Sequence, residues 1–373
     1  MTRTWCIRVM SESQEEVISL VNSIFEVDQF TKTLYSLEFK IIDREFKIKF
    51  ENLARKMEDM NYVCKLEKIN DDKFIIIQKF PPRKQRKWLN ASWIPRILFA
   101  VVVCFVMVDG YIRTNMANSI IDIGNPFEMA AVYTLSLLGI LGIHESGHLI
   151  AARLHRLKTS WPYFIPGLPV IGITTFGAFI QSRGLTINRE ILFDVAIAGP
   201  VAGLIIAVIV SMYGAYTAPM LDADVAQGLF DESRLIEWDL GEPILMKASL
   251  ALFGKGGDGN EVLMTPLLFA AWVGFLITFV NLLPAWQLDG GHLARTLLGQ
   301  KLHKYATYGS MVVLVLLDFW MMAIFILLLS SRSPSASPLD DISPLSKNRK
   351  LAYIGVLGLA VLCAPIPSGV LPW

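Results

Sequence analysis

The chain has 373 residues, of which 53% are hydrophobic and 18% charged. Soluble proteins carry about 25% charged residues, so the composition excludes an ordinary soluble protein and indicates a membrane protein. The net charge of +1 gives no reason to expect a nucleic-acid partner. The four cysteines have no CxxC or zinc-finger spacing, so neither a disulfide framework nor a cysteine metal site is indicated.

Residues 1–80 predict a small cytosolic α+β domain, to which the sequence assigns no function. Four runs have the composition of strands: 4–9, part of 36–50, 62–68 and 73–79. Amphipathic helical stretches lie between them at 12–26 and 50–60. The NDD sequence at 70–72, between two alternating runs, is typical of a hairpin turn. The first residues lack the apolar core of a signal peptide, so we expect a cytosolic N-terminus.

A basic linker at 81–92 comes next, with two prolines and four basic residues before Trp88. Basic residues followed by an aromatic are typical of the cytosolic approach to a bilayer. Residues 93–373 then predict a transmembrane domain. Its apolar segments approach or exceed the length of about 20 residues that spans a bilayer. There are about six of them: 93–112, 127–152, 191–215, 266–284, 305–330 and 350–368.

The charges between these segments predict an orientation. The loop at 217–265 has nine acidic and three basic residues, whereas 295–304 and the stretch after the second span are basic. Cytosolic loops carry the excess of Lys and Arg, so 217–265 should lie outside. The basic stretch at 332–350 is predicted outside and fits this rule poorly.

The sequence HESGH at 144–148 lies inside the second apolar segment. Positions i and i+4 share one face of a helix, so His144 and His148 can bind one metal ion, with Glu145 placed as general base. With the cytosolic end near Arg153, a rise of about 1.5 Å per residue puts His148 roughly 8 Å deep and His144 roughly 14 Å deep. Ionisable groups at that depth are costly unless paired or functional. We therefore expect a metal site inside the membrane, near its cytosolic face.

A catalytic zinc site takes three protein ligands, and the best candidate for the third is Asp289. It lies in NLLPAWQLDGGH at 281–292, beside the pair Gly290–Gly291, which would let the backbone turn sharply. His292 is the competing ligand. An alternative is that Asp289 is an ordinary helix cap at the membrane edge.

The two motifs together resemble the site-2 protease family of intramembrane zinc metalloproteases. FDVAIAGPVAGL at 193–204 resembles that family's segment between the ligand-bearing spans, and FIPGLPVIGITTFGAFIQ at 164–181 resembles its membrane-associated hairpin. The resemblance covers about 125–300. There is no room for a PDZ insert, so the arrangement resembles the archaeal, cyanobacterial and chloroplast-type members more than relatives with that insert.

The resemblance implies one Zn²⁺ per chain, held by His144, His148 and Asp289, with Glu145 as general base. It also implies that Asn281 helps to hold the substrate backbone or the developing oxyanion. The implied activity is that of a zinc metalloendopeptidase. It would hydrolyse peptide bonds within or near a transmembrane segment of membrane-tethered substrates, in regulated intramembrane proteolysis.

The prolines and glycines of 161–181 make this stretch too broken for a spanning helix. An edge strand there, at Phe176, Gly177 and Ala178, would pair with an unwound substrate segment; the alternative is a simple cytosolic loop. The fold we predict is an α-helical polytopic membrane protein. It has about six transmembrane helices, a membrane-associated β-hairpin and a small N-terminal α+β cytosolic domain.

Other polar groups allow weaker predictions. Asp194 is a candidate hydrogen-bond partner for a ligand histidine, and Gly199 and Gly203, at GxxxG spacing, are expected to serve helix packing. His155 and His303 lie in basic stretches and are expected to be solvated. Asp109 is expected at the membrane interface, and Asp318 has no predicted partner.

Three rival functions remain open. The chain could be a proteolytically dead relative that acts as a chaperone, although an intact HESGH with Asp289 argues against it. It could be a metal transporter that uses the same three ligands. A CAAX-type membrane protease would take a glutamate as third ligand, and no later span offers a suitable one. The substrate and the oligomeric state are not predicted.

Overall fold

The computed structural model describes residues 14–80, 93–160, 162–168, 173–179, 186–232, 235, 240–255, 259–332 and 337–367. These residues group into two units. The predicted strand at 4–9 and the basic linker at 81–92 lie outside the described residues.

The first unit contains an antiparallel sheet of four strands in the order β1-β2-β4-β3. Its elements are α1 (14–24), β1 (Val27–Lys32), β2 (Leu37–Ile41), α2 (Lys47–Asp59), β3 (Tyr62–Ile69) and β4 (Asp72–Lys79). Alternate residues of a strand face the same side, and here Cys64, Leu66, Ile75 and Ile77 are the buried set. The apolar stripe of α2 packs against β3. The α+β prediction for this region is therefore confirmed.

The turn between β3 and β4 confirms the prediction made from NDD. Ile69 pairs with Asp72 across the hairpin, and Asn70 and Asp71 have φ angles of 48° and 72°. Two successive left-handed residues make the tight turn that matches the twist of the flanking strands, and Asn and Asp tolerate this conformation.

Asp43, between β2 and α2, makes polar contacts with two other segments of this unit. Its carboxylate accepts the Glu26 N–H at 2.8 Å and pairs with the Lys49 ammonium. Burial raises the pKa of this carboxyl, but the hydrogen bonds from Lys49 and Glu26 lower it by more, so the pKa lies below its usual value.

Two later segments, 186–192 and 337–346, also belong to the first unit. The Leu66 N–H donates to the Leu339 carbonyl at 2.9 Å, and the Leu339 N–H donates to the Thr186 carbonyl at 2.9 Å. The unit is therefore completed by residues far along the chain. The predicted division at residues 80 and 92 stays a prediction.

The second unit is mostly helical. Its helices are α3 (Ile94–Asn118), α4 (Pro126–Leu154), α5 (Arg189–Thr217, from Phe193 onward), α6 (Ala223–Asp231), α7 (Ile244–Leu252), α8 (Pro266–Leu282), α9 (Asp289–Leu316), α10 (Trp320–Arg332) and α11 (Lys347–Cys363). Its strand pairs, all antiparallel, are β5 (Tyr163–Leu168) with β6 (Ile173–Phe179), β7 (Met220–Asp222) with β9 (Asn260–Val262), and β8 (Glu242–Pro243) with β10 (Pro365–Ile366). The core is built around α8, of whose 17 residues 12 are buried.

Three helices, α3, α4 and α5, are long and apolar enough to cross a membrane. The helices α8 and α10 are apolar but shorter, and α11 has 17 residues. At a rise of about 1.5 Å per residue, 17 residues reach about 25 Å, which is less than the hydrocarbon thickness of about 30 Å. The other three predicted spans stay predictions.

The predicted segment at 305–330 is divided between two helices rather than forming one continuous helix. α9 ends at Leu316, Asp318 has a φ of 67°, and α10 begins at Trp320. The Phe319 N–H donates to the Leu314 carbonyl at 2.8 Å, which closes a helix end around a left-handed residue. The break was hidden because one polar residue hardly changes the hydropathy of an apolar run.

A polar cluster joins α3 to α4 within their apolar lengths. Asp109 accepts hydrogen bonds from Arg113 Nε at 2.8 Å and from the Tyr133 hydroxyl at 2.7 Å. The Arg113 guanidinium lies 3.6 Å from the centroid of the Phe269 ring on α8, a cation–π contact. A carboxylate in an apolar helix needs such partners.

Candidate metal centre

The helix α4 brings His144 and His148 onto one face. The helix begins at Pro126. The side chain of the preceding residue, Asn125, accepts the Phe127 N–H at 2.9 Å and so caps the helix. The Nε2 atoms of the two histidines lie 3.2 Å apart. His144 is 4% exposed, so its ring is held in the interior, where the predicted metal would be.

Asp289 is brought to these histidines from 141 residues beyond His148, as the first residue of α9. Its Oδ2 lies 3.3 Å from the Nε2 of His144 and 3.3 Å from the Nε2 of His148. These three residues form a group of potential metal ligands whose donor atoms all lie within 4.8 Å of one another. The structure thus brings together the predicted ligand set, while the ligand role itself stays a prediction.

The spacing of the donors fits zinc. Zinc–nitrogen and zinc–oxygen bonds of about 2.0–2.1 Å at tetrahedral angles separate two ligand atoms by about 3.3–3.4 Å. The observed separations are 3.2, 3.3 and 3.3 Å. Two imidazoles and one carboxylate also make a donor set that zinc prefers at catalytic sites.

The orientation of His148 is fixed by a backbone carbonyl. His148 Nδ1 lies 2.8 Å from the carbonyl oxygen of Val195 on α5. A carbonyl can only accept, so Nδ1 carries the proton and Nε2 keeps a free lone pair directed at the other donors. The prediction that Asp194 would bond to a ligand histidine is therefore wrong. The group that contacts His148 is the backbone carbonyl of the next residue, Val195.

The two helices α4 and α5 pack with almost no space between them. A Cβ on Gly199 would lie 2.1 Å from His148 Nε2, and a Cβ on Gly203 would lie 2.9 Å from the Cβ of His144. On the other side of the interface, a Cβ on Gly147 would lie 2.4 Å from the Ala198 carbonyl oxygen. The prediction that Gly199 and Gly203 serve packing is confirmed, and what they pack against is the pair His144 and His148.

Glu145 faces away from this interface, towards an apolar cavity of about 610 Å³ between α3, α4 and β5. Phe99 and Met107 line the cavity from α3, and Phe164 lines it from β5. Gly142 also lines it, and a Cβ there would meet nothing within 4 Å. The half-buried side chain of Glu145, next in sequence to His144, thus lines an apolar groove.

Gly290 and Gly291 are needed for space rather than for a sharp turn. Neither has a positive φ, and both belong to the first turn of α9. A Cβ on Gly290 would lie 2.1 Å from the Leu282 carbonyl oxygen, and one on Gly291 would lie 2.3 Å from that of Ala285. The start of α9 is thus pressed against the end of α8 and the loop after it, which places Asp289.

The remaining predicted site residues are not part of the group formed by His144, His148 and Asp289. Asn281 is half-buried near the end of α8, and among the described residues its side chain makes no hydrogen bond. His292 is not a member of the donor group that contains Asp289. Gly177 lies on β6 with a φ of 90°. The side chains of Phe176 and Ala178, also on β6, lie outside the described residues.

Of the two histidines expected in solvent, His155 is partly exposed and His303 is buried, so the prediction for His303 is wrong. His155 Nε2 lies 3.1 Å from Asp194 Oδ2. His303 is only 3% exposed, because it lies on the face of α9 that also buries Thr307, Ser310 and Leu314. Its basic neighbours Lys301 and Lys304 stay exposed.

Sequence reasoning missed two groups near the site. One is the Val195 carbonyl, since a backbone acceptor leaves no signal in a sequence. The other is Arg349, at the start of α11, which donates to both oxygens of Asp194. Only the basic character of the stretch before the last apolar segment pointed to a charged group there.

Comparisons with known proteins agree with this arrangement. Residues 132–319 match the family described as Peptidase family M50. The chain is 31% identical over 236 residues to the probable zinc metalloprotease EGY2, chloroplastic, of Arabidopsis thaliana, covering 61% of this chain and 40% of that protein. It is 28% identical over 289 residues to the protein of the same name from Oryza sativa subsp. indica, covering 74% and 50%.

A third relative is the probable zinc metalloprotease EGY1, chloroplastic, of Arabidopsis thaliana. It is 31% identical over 251 residues, covering 65% of this chain and 44% of that protein. The chain spans about half the length of the curated relatives it matches. No solved structure matches it.

Proposed function

Because the chain belongs to peptidase family M50, the site-2 protease family, we propose that it is an intramembrane zinc endopeptidase. It hydrolyses a peptide bond within or near a transmembrane segment of a membrane-tethered protein. The observation that carries this proposal is the group of His144, His148 and Asp289 donors. Two of these ligands lie on a helix long enough to cross a membrane.

The site has the parts that peptide hydrolysis requires. Zinc, held by the two imidazoles and the carboxylate, would polarise the scissile carbonyl and lower the pKa of water to about 7. Glu145 takes a proton from the attacking water as its oxygen bonds to the carbonyl carbon. It then passes this proton to the amide nitrogen as the C–N bond breaks. His148 keeps its lone pair for zinc because its other nitrogen donates to the Val195 carbonyl.

The surroundings of Glu145 favour an apolar, extended substrate. The groove beside it is lined by α3, α4 and β5 and contains few polar groups. A helical peptide bond is shielded by its own hydrogen bonds, so the substrate must unwind before cleavage. β5 and β6 pair only with each other among the described residues, which leaves β6 an open edge for an unwound strand. Asn281 is proposed to hold the substrate backbone or the oxyanion.

We further propose a membrane arrangement that follows from the charges in the sequence. About six helices cross the bilayer, β5 and β6 form a membrane-associated hairpin, and the N-terminal domain lies in the cytosol. The metal site then lies near the cytosolic face, from which water enters. No feature of the described residues indicates a nucleic-acid partner, and the sequence leaves the oligomeric state open.

The experiment is cleavage of a transmembrane reporter by the purified full-length protein in proteoliposomes. We expect Glu145→Gln to abolish cleavage while zinc stays bound, because the variant keeps all three ligands and lacks only the base. Glu128→Gln is the matched control, since Glu128 is exposed in the first turn of the same helix and should cleave as the wild type does.

Three outcomes contradict the proposal. If Glu145→Gln cleaves normally, Glu145 is not the base. If the wild type binds zinc and cleaves no reporter, a chaperone function takes precedence. If the proteoliposomes accumulate zinc, the three ligands serve transport instead.

A further inference from the structure

Three ionisable side chains form a cluster beside the proposed metal centre, which we call the α5 clamp: His155, Asp194 and Arg349. Arg349 Nε donates to Asp194 Oδ1 at 2.7 Å, and Arg349 Nη2 donates to Asp194 Oδ2 at 2.7 Å. The His155 Nε2 lies 3.1 Å from the same Oδ2. A two-pronged bond between guanidinium and carboxylate is among the strongest and most directional polar contacts.

The clamp joins three helices of the second unit. His155 is the residue at which α4 ends, two turns beyond His148. Asp194 lies in the second turn of α5, and Arg349 is the third residue of α11. Their side chains are between 27% and 30% exposed, so each is partly shielded from water and the contact is stronger than a fully exposed ion pair.

The clamp is one residue away from the group that orients a metal ligand. Val195, whose carbonyl accepts from His148 Nδ1 at 2.8 Å, directly follows Asp194. Hydrogen bonds of this kind weaken quickly beyond about 3.2 Å. A shift of α5 along its axis by less than one residue rise, about 1.5 Å, would therefore release the His148 ring.

The glycine packing of α5 on α4 does not by itself prevent such a shift. Gly199 and Gly203 allow close approach of the two helices, but such van der Waals contacts are less directional than a charged hydrogen bond. A directional bond across the helix ends is needed to fix the axial position. The two hydrogen bonds from Arg349 to the Asp194 carboxylate supply this directional contact, and His155 lies beside Oδ2 of the same carboxylate.

We propose that Asp194 and Arg349 are positioning residues for the metal ligand His148. The paired hydrogen bonds between them fix the axial position of α5, and thereby hold the Val195 carbonyl where it orients the His148 ring. The inference rests on the proposed function, since it concerns the same metal site. It extends the site to α11, because Arg349 lies outside residues 132–319, which match the family.

The test measures zinc affinity, by competition with a chelator, for the full-length protein in detergent. Asp194→Asn keeps the size of the side chain but loses the second oxygen acceptor and the charge. Loss of a group that supports a ligand histidine costs about 10- to 100-fold in metal affinity, and we expect about 10-fold here. Because the two residues act as one unit, Asp194→Asn combined with Arg349→Gln should cost about as much as either change alone.

A second readout reports the geometry of the ligands directly. With Co²⁺ in place of zinc, the visible absorption bands depend on the arrangement of the donor atoms. We expect Asp194→Asn to shift or weaken these bands, because the His148 ring is no longer held. A loss of general stability alone would leave the bands of the folded protein unchanged.

Asp109→Asn is the matched control. Asp109 also pairs with an arginine and accepts a second hydrogen bond, from Tyr133, in the same unit, but its partners do not contact the ligands. We expect this variant to lower the unfolding temperature while zinc affinity and the Co²⁺ spectrum stay as in the wild type.

The outcomes separate this inference from the proposed function. If the wild type binds no stoichiometric zinc, the proposed function fails. If the wild type binds zinc and Asp194→Asn binds it equally well with an unchanged spectrum, only the inference fails. It also fails if Asp109→Asn weakens zinc binding as much. Should Asp194→Asn not fold, Arg349→Lys and Arg349→Gln carry the same test, and normal zinc affinity in Arg349→Gln overturns the inference.

Discussion

Gly199→Ala should displace one proposed metal ligand while it leaves the fold largely intact. The new Cβ would lie 2.1 Å from His148 Nε2 and 2.5 Å from its Cδ2 and Cε1. Ordinary contact begins at 3.4 Å, so the ring must retreat by about 1.3 Å. The ring is the far end of a rotatable side chain and can move, but Nε2 then leaves its position 3.3 Å from Asp289 Oδ2.

The expected cost follows from these distances. Breaking the hydrogen bond to Val195 costs about 0.5–1.5 kcal/mol of stability, which is small for a chain of this size. Misplacement of a catalytic group by about 1 Å can cost about 100-fold in rate. We therefore expect cleavage and zinc affinity to fall by about 100-fold, with a much smaller change in unfolding temperature.

The assay is a graded series at three glycines. Gly203→Ala brings a Cβ within 2.9 Å of the His144 Cβ, which cannot swing away, so this variant should lose stability more than it loses zinc. Gly309→Ala, in α9, meets nothing within 4 Å and should behave as the wild type. Full zinc affinity in Gly199→Ala would refute the reasoning, because the α4–α5 interface would then have room that the distances exclude.

Three further predictions concern other parts of the chain. Asp289→Ala should lose stoichiometric zinc by metal analysis while His292→Ala keeps it; the reverse result would make His292 the third ligand. Asp43 has a pKa below its usual value in the folded chain, so its contribution to stability is fully present above pH of about 4 and is lost as the pH falls further. At neutral pH, hydrogen exchange in the first unit should therefore be slower in the wild type than in Asp43→Asn, and in acid the two proteins should exchange at the same rate. A ratio of the two exchange rates that stays constant with pH would contradict the assignment. Asp318→Val should lower the unfolding temperature, because a β-branched residue is strained at a φ of 67°, whereas Asp318→Gly should not; equal unfolding temperatures for the two would show that the turn can rearrange.

The family and the ligand set could be predicted from sequence because both depend on local patterns. The spacing of His144 and His148 specifies a shared helix face, and LDGG marks Asp289 as a second polar group beside an apolar run. The family prediction is confirmed by the match over 132–319. What joins the two motifs in space is the packing of α8, which no single motif encodes.

The errors have a common physical origin. Asp194 is separated by 155 residues from its partner Arg349, and nothing local links the two. The Val195 carbonyl belongs to the backbone, which every residue shares. His303 was expected in water because its neighbours are basic, but its side chain lies on the face of α9 that packs into the interior. Sequence patterns report the neighbours along a chain, whereas these groups are determined by neighbours in space.

The contact of Gly290 and Gly291 with the carbonyls before them fixes the length of the connection between α8 and α9. An inserted residue in 283–288 would displace the start of α9 from the carbonyls that Gly290 and Gly291 contact, and with it the carboxylate of Asp289. A deletion would do the same in the other direction. Loops usually tolerate insertions, but this one is a spacer of set length. Labels, tags and reporter insertions therefore do not belong in this short connection, where a change of length by one residue should already lower zinc affinity.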